Sequence, residues 1–217
     1  MTGNFSWLRP EPHGIHIVPA DAWIDPSQAV PRALVTHGHA DHARGGHGQT
    51  IATPETLAIM DLRYNTREGA QPVAYGETVR LPGGVSATFV PAGHVLGSAQ
   101  ILLEHAGERV VITGDFKRRH DPTCPPFEVT PCDVLVTEAT FGLPLFRHPP
   151  IADELAKIGQ RLAAEPERCV LVGAYALGKA QRVIAELRDA GHHEPIYLHG
   201  AMENMCRLYA QWGVDLG

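Results

Sequence analysis

The sequence predicts an α/β protein built in two parts, and three observations carry that reading. Short alternating strands separated by tight turns crowd the chain to about residue 145, with few helices among them. After Pro149-Pro150 the pattern changes to strand–helix alternation, the mark of a parallel sheet. A short apolar strand, Ala33-Leu34-Val35, runs straight into the histidine-rich stretch Thr36-His37-Gly38-His39-Ala40-Asp41-His42, and strand ends are where α/β folds place chemistry. The domains expected are therefore 1–145, with the strand density of one half of a sheet sandwich, and 146–217, an α/β unit.

Each element has a local reason. Gly14 to Val18 alternates as a strand, and Pro19 ends it. Ala33 to Thr36 is a buried strand, after which Gly45, Gly46 and Gly48 let the backbone turn. Thr53 caps a helix with Pro54 at its first position; Leu57, Met60 and Tyr64 share one face and are expected in the core. Thr78 to Leu81 and Val85 to Val90 form a hairpin around Pro82-Gly83-Gly84, and Gln100 to Glu104 pairs with Arg109 to Thr113 around Ala106-Gly107. Val134 to Thr137 is a strand ending at Glu138. Beyond the boundary, Ile151, Leu155, Ile158 and Leu162 mark a helix, Cys169 to Gly173 a strand, and Gly178 to Ala190 a helix closed by Gly191. Pro195 to Leu198 is a further strand, and Met202, Met205, Leu208, Tyr209 and Trp212 line a last helix.

With 217 residues, 44% hydrophobic and 19% charged, the chain can bury a sizeable core. A net charge of -6 excludes a globally basic nucleic-acid binder and leaves room only for a local basic strip. Cys124, Cys132, Cys169 and Cys206 form no Cys-x-x-Cys pair, which argues against a structural zinc knot and for reduced thiols in a cytoplasmic protein. Met1 to Pro10 has neither the basic start nor the apolar run of a leader or anchor, so no membrane association is expected.

Three imidazoles and a carboxylate within six residues suit zinc, manganese or iron. His37 and His39 are two apart and point the same way on an extended or tightly looped backbone. Asp41 keeps that parity and His42 breaks it, so the strip can feed one metal with two imidazoles and offer Asp41 and His42 to a second. The competing reading is a polar surface loop, which explains scattered histidines better than this run at a strand end.

The run resembles the signature of the metallo-β-lactamase fold, a four-layer αββα sandwich. The resemblance implies a later metal-binding histidine, supplied by His94 in Gly93-His94-Val95-Leu96-Gly97-Ser98-Ala99, and a bridging carboxylate, supplied by Asp115 in Ile112-Thr113-Gly114-Asp115-Phe116. It also implies an upstream aspartate that orients the metal loop; Asp21 fits that role and Asp25 is the second claimant. His37, His39 and His94 would then hold one divalent metal and Asp41 and His42 another, with Asp115 between them. Two metals about 3.5–4 Å apart, zinc first and manganese as the alternative, would bring the pKa of water to about 7. Taken singly, His94 reads as structural and Asp115 as an Asx-turn residue.

Two further stretches point to one branch of that fold. Thr137-Glu138-Ala139-Thr140-Phe141-Gly142 resembles the Glu-Ser-Thr-Tyr-Gly motif of the β-CASP nucleases. Gly173 to Arg182 is similar to a Gly-Thr-Tyr-Ser-Ile-Gly-Lys-Glu stretch of the DNA cross-link repair and Artemis nucleases. Trp7 to Pro10, His37 to His47 and Lys117 to Cys124 look closest to the bacterial ligase-associated DNA exonucleases, whose relatives include mRNA 3′-end processing factors. The resemblance covers nearly all of the chain. It implies the first half of the fold and the start of an inserted parallel-sheet β-CASP domain, with the return of the sandwich and a further metal-binding histidine lying beyond Gly217. It implies hydrolysis of phosphodiester bonds of DNA, with RNA as the alternative, by an exonuclease working with a DNA ligase or repair system. Asp41, Asp115 and Glu138 would be its catalytic carboxylates.

Read as bare residues, Glu138 is a capping or surface carboxylate and Lys179 a solvated helix residue. Gly178-Lys179 at a helix start could instead hold a phosphate through backbone N–H groups and one ammonium. Lys117-Arg118-Arg119-His120 is either a solvated turn or a basic rim near the metals. Two competing functions remain: a hydrolase of a small thioester or lactone on the same fold, and a truncated, non-catalytic metal-binding module.

Overall fold

The computed structural model describes residues 6–217; the reading of Met1 to Pro10 as neither leader nor anchor falls in part on residues 1–5, outside that range. The chain divides into two compact units, Met1–Glu138 and Ala139–Gly217. The described residues form a mixed α/β fold with two mixed sheets and four α-helices, consistent with a partial metallo-β-lactamase-type architecture. No helix among the described residues is long and apolar enough to cross a membrane.

In the first unit, β1 (Leu8–Glu11), β2 (Gly14–Ile17), β3 (Ala22–Ile24), β4 (Arg32–Leu34), β5 (Gln49–Ala52) and β6 (Ala70–Pro72) lie side by side in chain order. The pairs are antiparallel to β3 and parallel from β3 onward. The second sheet is β7 (Thr78–Leu81), β8 (Val85–Pro91), β9 (Ala99–His105), β10 (Glu108–Ile112) and β11 (Val134–Val136). It is antiparallel except for the parallel pair β10–β11. Alternation fixes the inner faces: along β8, Val85, Ala87 and Phe89 are buried while Ser86 and Thr88 are half-exposed. Ile17, Leu34, Phe89, Ile101, Leu103 and Ile112 belong to one continuous core that both sheets share.

The other face of the first sheet carries Ala33, Val35 and Ala52, packed with Met60 of α1 (Pro54–Tyr64). Thr53 caps α1 as expected, its hydroxyl oxygen accepting from Thr56 N at 3.2 Å and its proton going to Gly97 O at 2.7 Å. Thr53→Ala should therefore lower stability by about 1–2 kcal/mol, as chemical denaturation would show. The buried face of the helix is Thr56, Ile59 and Met60. Tyr64, expected in the core, is 38% exposed. The rotation follows from Gly38, where a Cβ would stand 2.6 Å from Ile59 Cγ2: the missing side chain makes room for Ile59.

The second unit contains α2 (Ile151–Ala164), α3 (Lys179–Asp189) and α4 (Gly200–Gln211). Gln181, fully buried, donates to Ala176 O and to Cys206 Sγ, tying α3 to α4. The expected strands Cys169 to Gly173 and Pro195 to Leu198 are not hydrogen-bonded into a sheet among the described residues. Leu171 and Tyr197 in them are 91% and 92% exposed. Their apolar, β-branched character is strand-like, but a strand exists only with a partner whose N–H and C=O groups pair with its own.

Candidate metal centre

The site lies at the ends of strands in the first unit. After β4, Val35 N still bonds Ile51 O at 2.9 Å. The chain then leaves the sheet and turns, with His42 N and Ala43 N both donating to His39 O. Arg63 of α1 donates to Gly38 O at 2.6 Å and holds the turn from outside. After β8 the loop carrying His94 is closed by Ser98, whose hydroxyl oxygen accepts from His94 N and Val95 N at 3.0 and 3.1 Å. After β10 comes Asp115. Its neighbour Gly114, at φ 54°, leans so closely on the first loop that a Cβ would lie 2.6 Å from Thr36 Oγ1.

These three loops bring His37, His39, His94 and Asp115 together, one ligand atom from each lying within 4.8 Å of the others. His39 Nδ1 faces His37 Nε2 at 3.0 Å and His94 Nε2 at 3.1 Å. Nitrogens bound to one tetrahedral zinc stand about 3.3 Å apart, so this donor set suits a single ion in both chemistry and spacing. Asp115 presents its two oxygens in two directions. Oδ2 is 3.9 Å from His37 Nε2 and 3.6 Å from His94 Nε2, while Oδ1 is 3.4 Å from His42 Nε2. Asp41 Oδ2 is 3.8 Å from the same His42 nitrogen, its side chain 80% exposed. Asp41 and His42 fall outside the four-residue group, although the His42 ring lies 4.2 Å from that of His37; His42 meets Asp115 through its other oxygen.

The electrostatics divide along the same line. Burial holds His37 well below the usual imidazole range, with the neighbouring His42, His94 and His39 adding to the effect. Burial, then His39 and Lys117, takes His94 down to about 4. Both are neutral imidazoles, the form that binds metal. For His42 burial also disfavours the cation, but the hydrogen bond and charge of Asp25, with Asp115 and Asp41, outweigh it and raise the group to about 9. Asp115 is raised by burial, against the pull of His42. Glu138, half-buried two residues beyond β11, adds its charge at both His94 and Asp115, so it lies within electrostatic reach of the cluster.

One expectation is corrected. The loop is oriented by Asp25, not Asp21. Asp25 Oδ1 accepts from Thr36 N at 2.8 Å, and Oδ2 accepts from Thr36 Oγ1 at 2.6 Å and lies 2.8 Å from His42 Nδ1. Asp21 ends a 3₁₀ turn, its side chain is 70% exposed, and among the described residues that side chain meets His16, at 3.6 Å. The signal was Ala22-Trp23-Ile24: this is β3, parallel to β4, so Asp25 at its end stands beside Thr36 at the end of its neighbour.

No family model matches the chain. A probable DNA ligase of Opitutus terrae is 32% identical over 207 residues, covering 93% of this chain and 20% of the ligase. Endoribonuclease YSH1 of Mycosarcoma maydis is 30% identical, covering 92% of this chain and 27% of that protein. A ribonuclease of Thermus thermophilus is 29% identical, covering 82% and 48%. The chain belongs to the β-CASP branch of the metallo-β-lactamase-fold proteins. It spans between about a fifth and a half of the length of these relatives.

Gly178 and Lys179 lie in the second unit. Gly178 N already donates to the Gln181 side chain at 2.8 Å, and Ala180 N to Tyr175 O at 3.1 Å. Two amides of this helix start are thus engaged internally. What the element presents outward is the Lys179 ammonium, exposed and 4.9 Å above the Tyr175 ring.

Proposed function

We propose that this chain is the metal-holding part of a nuclease that hydrolyses phosphodiester bonds. What supports the reading is Asp115, which turns Oδ2 toward His37 and His94 of the four-residue group and Oδ1 toward His42, with Asp41 beside His42. Bound there, two divalent metals, zinc or manganese, would supply acidified water and positive charge against the phosphoryl oxygens. His37, His39 and His94 hold the first position as neutral ligands. Asp25 fixes His42 through Nδ1 and so aims Nε2 at the second position. Asp41, exposed, lies where a polymer can approach. Glu138, within electrostatic reach of the same cluster, acts in the transition state or on the phosphate, and Lys179 neutralises a backbone phosphate.

DNA is the polymer we assign, on the likeness to a relative named as a probable DNA ligase, which also supports work alongside ligation or repair. RNA is the second reading, favoured by relatives named as ribonucleases. The test is an end-labelled DNA and RNA panel run beside a thioester and a lactone, with the polypeptide that carries this chain. Metal-dependent cleavage of nucleic acid is expected, with His37→Ala and His39→Ala losing most of the bound metal by elemental analysis. Lys179→Ala should weaken binding and lower its log–log salt dependence by about 0.7–0.9, and Glu138→Gln should lower turnover more than binding. Turnover of the small molecules with no phosphodiester cleavage would overturn the assignment.

A further inference from the structure

The loops that carry His94 and Asp115 are fastened to each other at Lys117. Lys117 N donates to Ala92 O at 3.0 Å, and the Lys117 ammonium donates to His94 O at 3.4 Å. Gly93, at φ 70°, lies so near that a Cβ on it would collide with the Lys117 carbonyl oxygen and stand 2.9 Å from Phe127 N. The ammonium is paired with Asp121, whose side chain is 3% exposed. Asp121 is itself fixed, its Oδ1 accepting from Thr123 N at 2.9 Å and Thr123 Oγ1 at 2.6 Å. A buried ion pair is a poor source of stability compared with apolar side chains of the same size. What this pair supplies is position: it holds a cation under the backbone of one ligand while belonging to the loop of another.

We propose that Lys117, with Asp121 as its counter-charge, is a positioning residue that sets the spacing between the His94 and Asp115 loops. Their ligand atoms, His94 Nε2 and Asp115 Oδ2, thereby meet at 3.6 Å. The inference rests on the metal-holding reading above.

The test compares Lys117→Met, Asp121→Leu, the double variant and Lys117→Arg with the wild-type chain. Zinc affinity is measured by chelator competition, the Co²⁺ absorption spectrum reports coordination, and thermal unfolding without metal reports the fold. Lys117→Met is expected to bind zinc about 10–100-fold more weakly with an altered Co²⁺ spectrum, and Lys117→Arg to recover part of the affinity. The double variant, which leaves no buried charge unpaired, should regain the unfolding temperature and keep the affinity loss. It carries the test even if a single variant does not fold. A double variant that regains affinity as well would show a merely structural pair and overturn the inference, as would unchanged zinc binding in Lys117→Met. A wild-type chain that binds neither metal would overturn the metal-holding reading and this inference with it.

Discussion

Asp115→Asn is expected to abolish phosphodiester cleavage, with a loss of about a thousandfold or more, since several kcal/mol of charge stabilisation depend on the metals. The substitution keeps the shape of the side chain and the packing of Gly114 on Thr36. It removes the negative charge and replaces one of the two acceptor oxygens that face His42 and His94 in different directions with an NH₂ group. An amide cannot serve two cations at once. Elemental analysis should show the second metal lost first, with the three imidazoles retaining the other. Full metal content and undiminished turnover in the Asp115→Asn protein would remove Asp115 from the bridging role.

Asp25→Ala should cost about 3 kcal/mol in folding stability and about 10–100-fold in metal affinity, whereas Asp21→Ala should change neither measurably. Asp25 accepts two hydrogen bonds from Thr36 and contacts His42, all partly buried, and its loss leaves those groups without that acceptor. The pH dependence has a definite sign. His42 is raised to about 9 in the metal-free fold, above its unfolded value of about 6.5. Its ion pair therefore contributes fully below pH about 6.5 and is lost as pH rises through about 9. Denaturation of the metal-free protein across that window should show falling stability, and Asp25→Asn should flatten the slope. An unchanged slope would mean that His42 owes its charge to other groups.

The elements that the sequence disclosed are those with a local cause. The alternation of β8, the Pro-Gly-Gly turn, the Thr53-Pro54 cap and the histidine run are each set by neighbours in the chain. What the sequence concealed depends on partners far along it. β3 is three residues long and acquires its meaning from lying parallel to β4, so Asp25 at its end was less visible than Asp21, which follows a plainer strand. Tyr64 has the right spacing for a core residue, but the face of α1 is chosen by the space beside Gly38. Lys117 reads as part of a basic run; only the folded chain places its ammonium against His94 and Asp121. In the second unit, Leu171 and Tyr197 show that strand-like composition is not a strand until something pairs with it.

The ligand atoms at this centre are nitrogen and oxygen throughout. Peroxide and related oxidants, which carry thiolates up to sulfenic and sulfinic acid, find no sulfur to attack there. The four thiols belong to no group of metal-ligating side chains among the described residues, and Cys169 is the exposed one. Cys169 is also remote in sequence from every one of those nitrogen and oxygen donors. An imidazole–carboxylate set of this kind could accept several first-row metals, so the ion it would hold would follow what its surroundings supply.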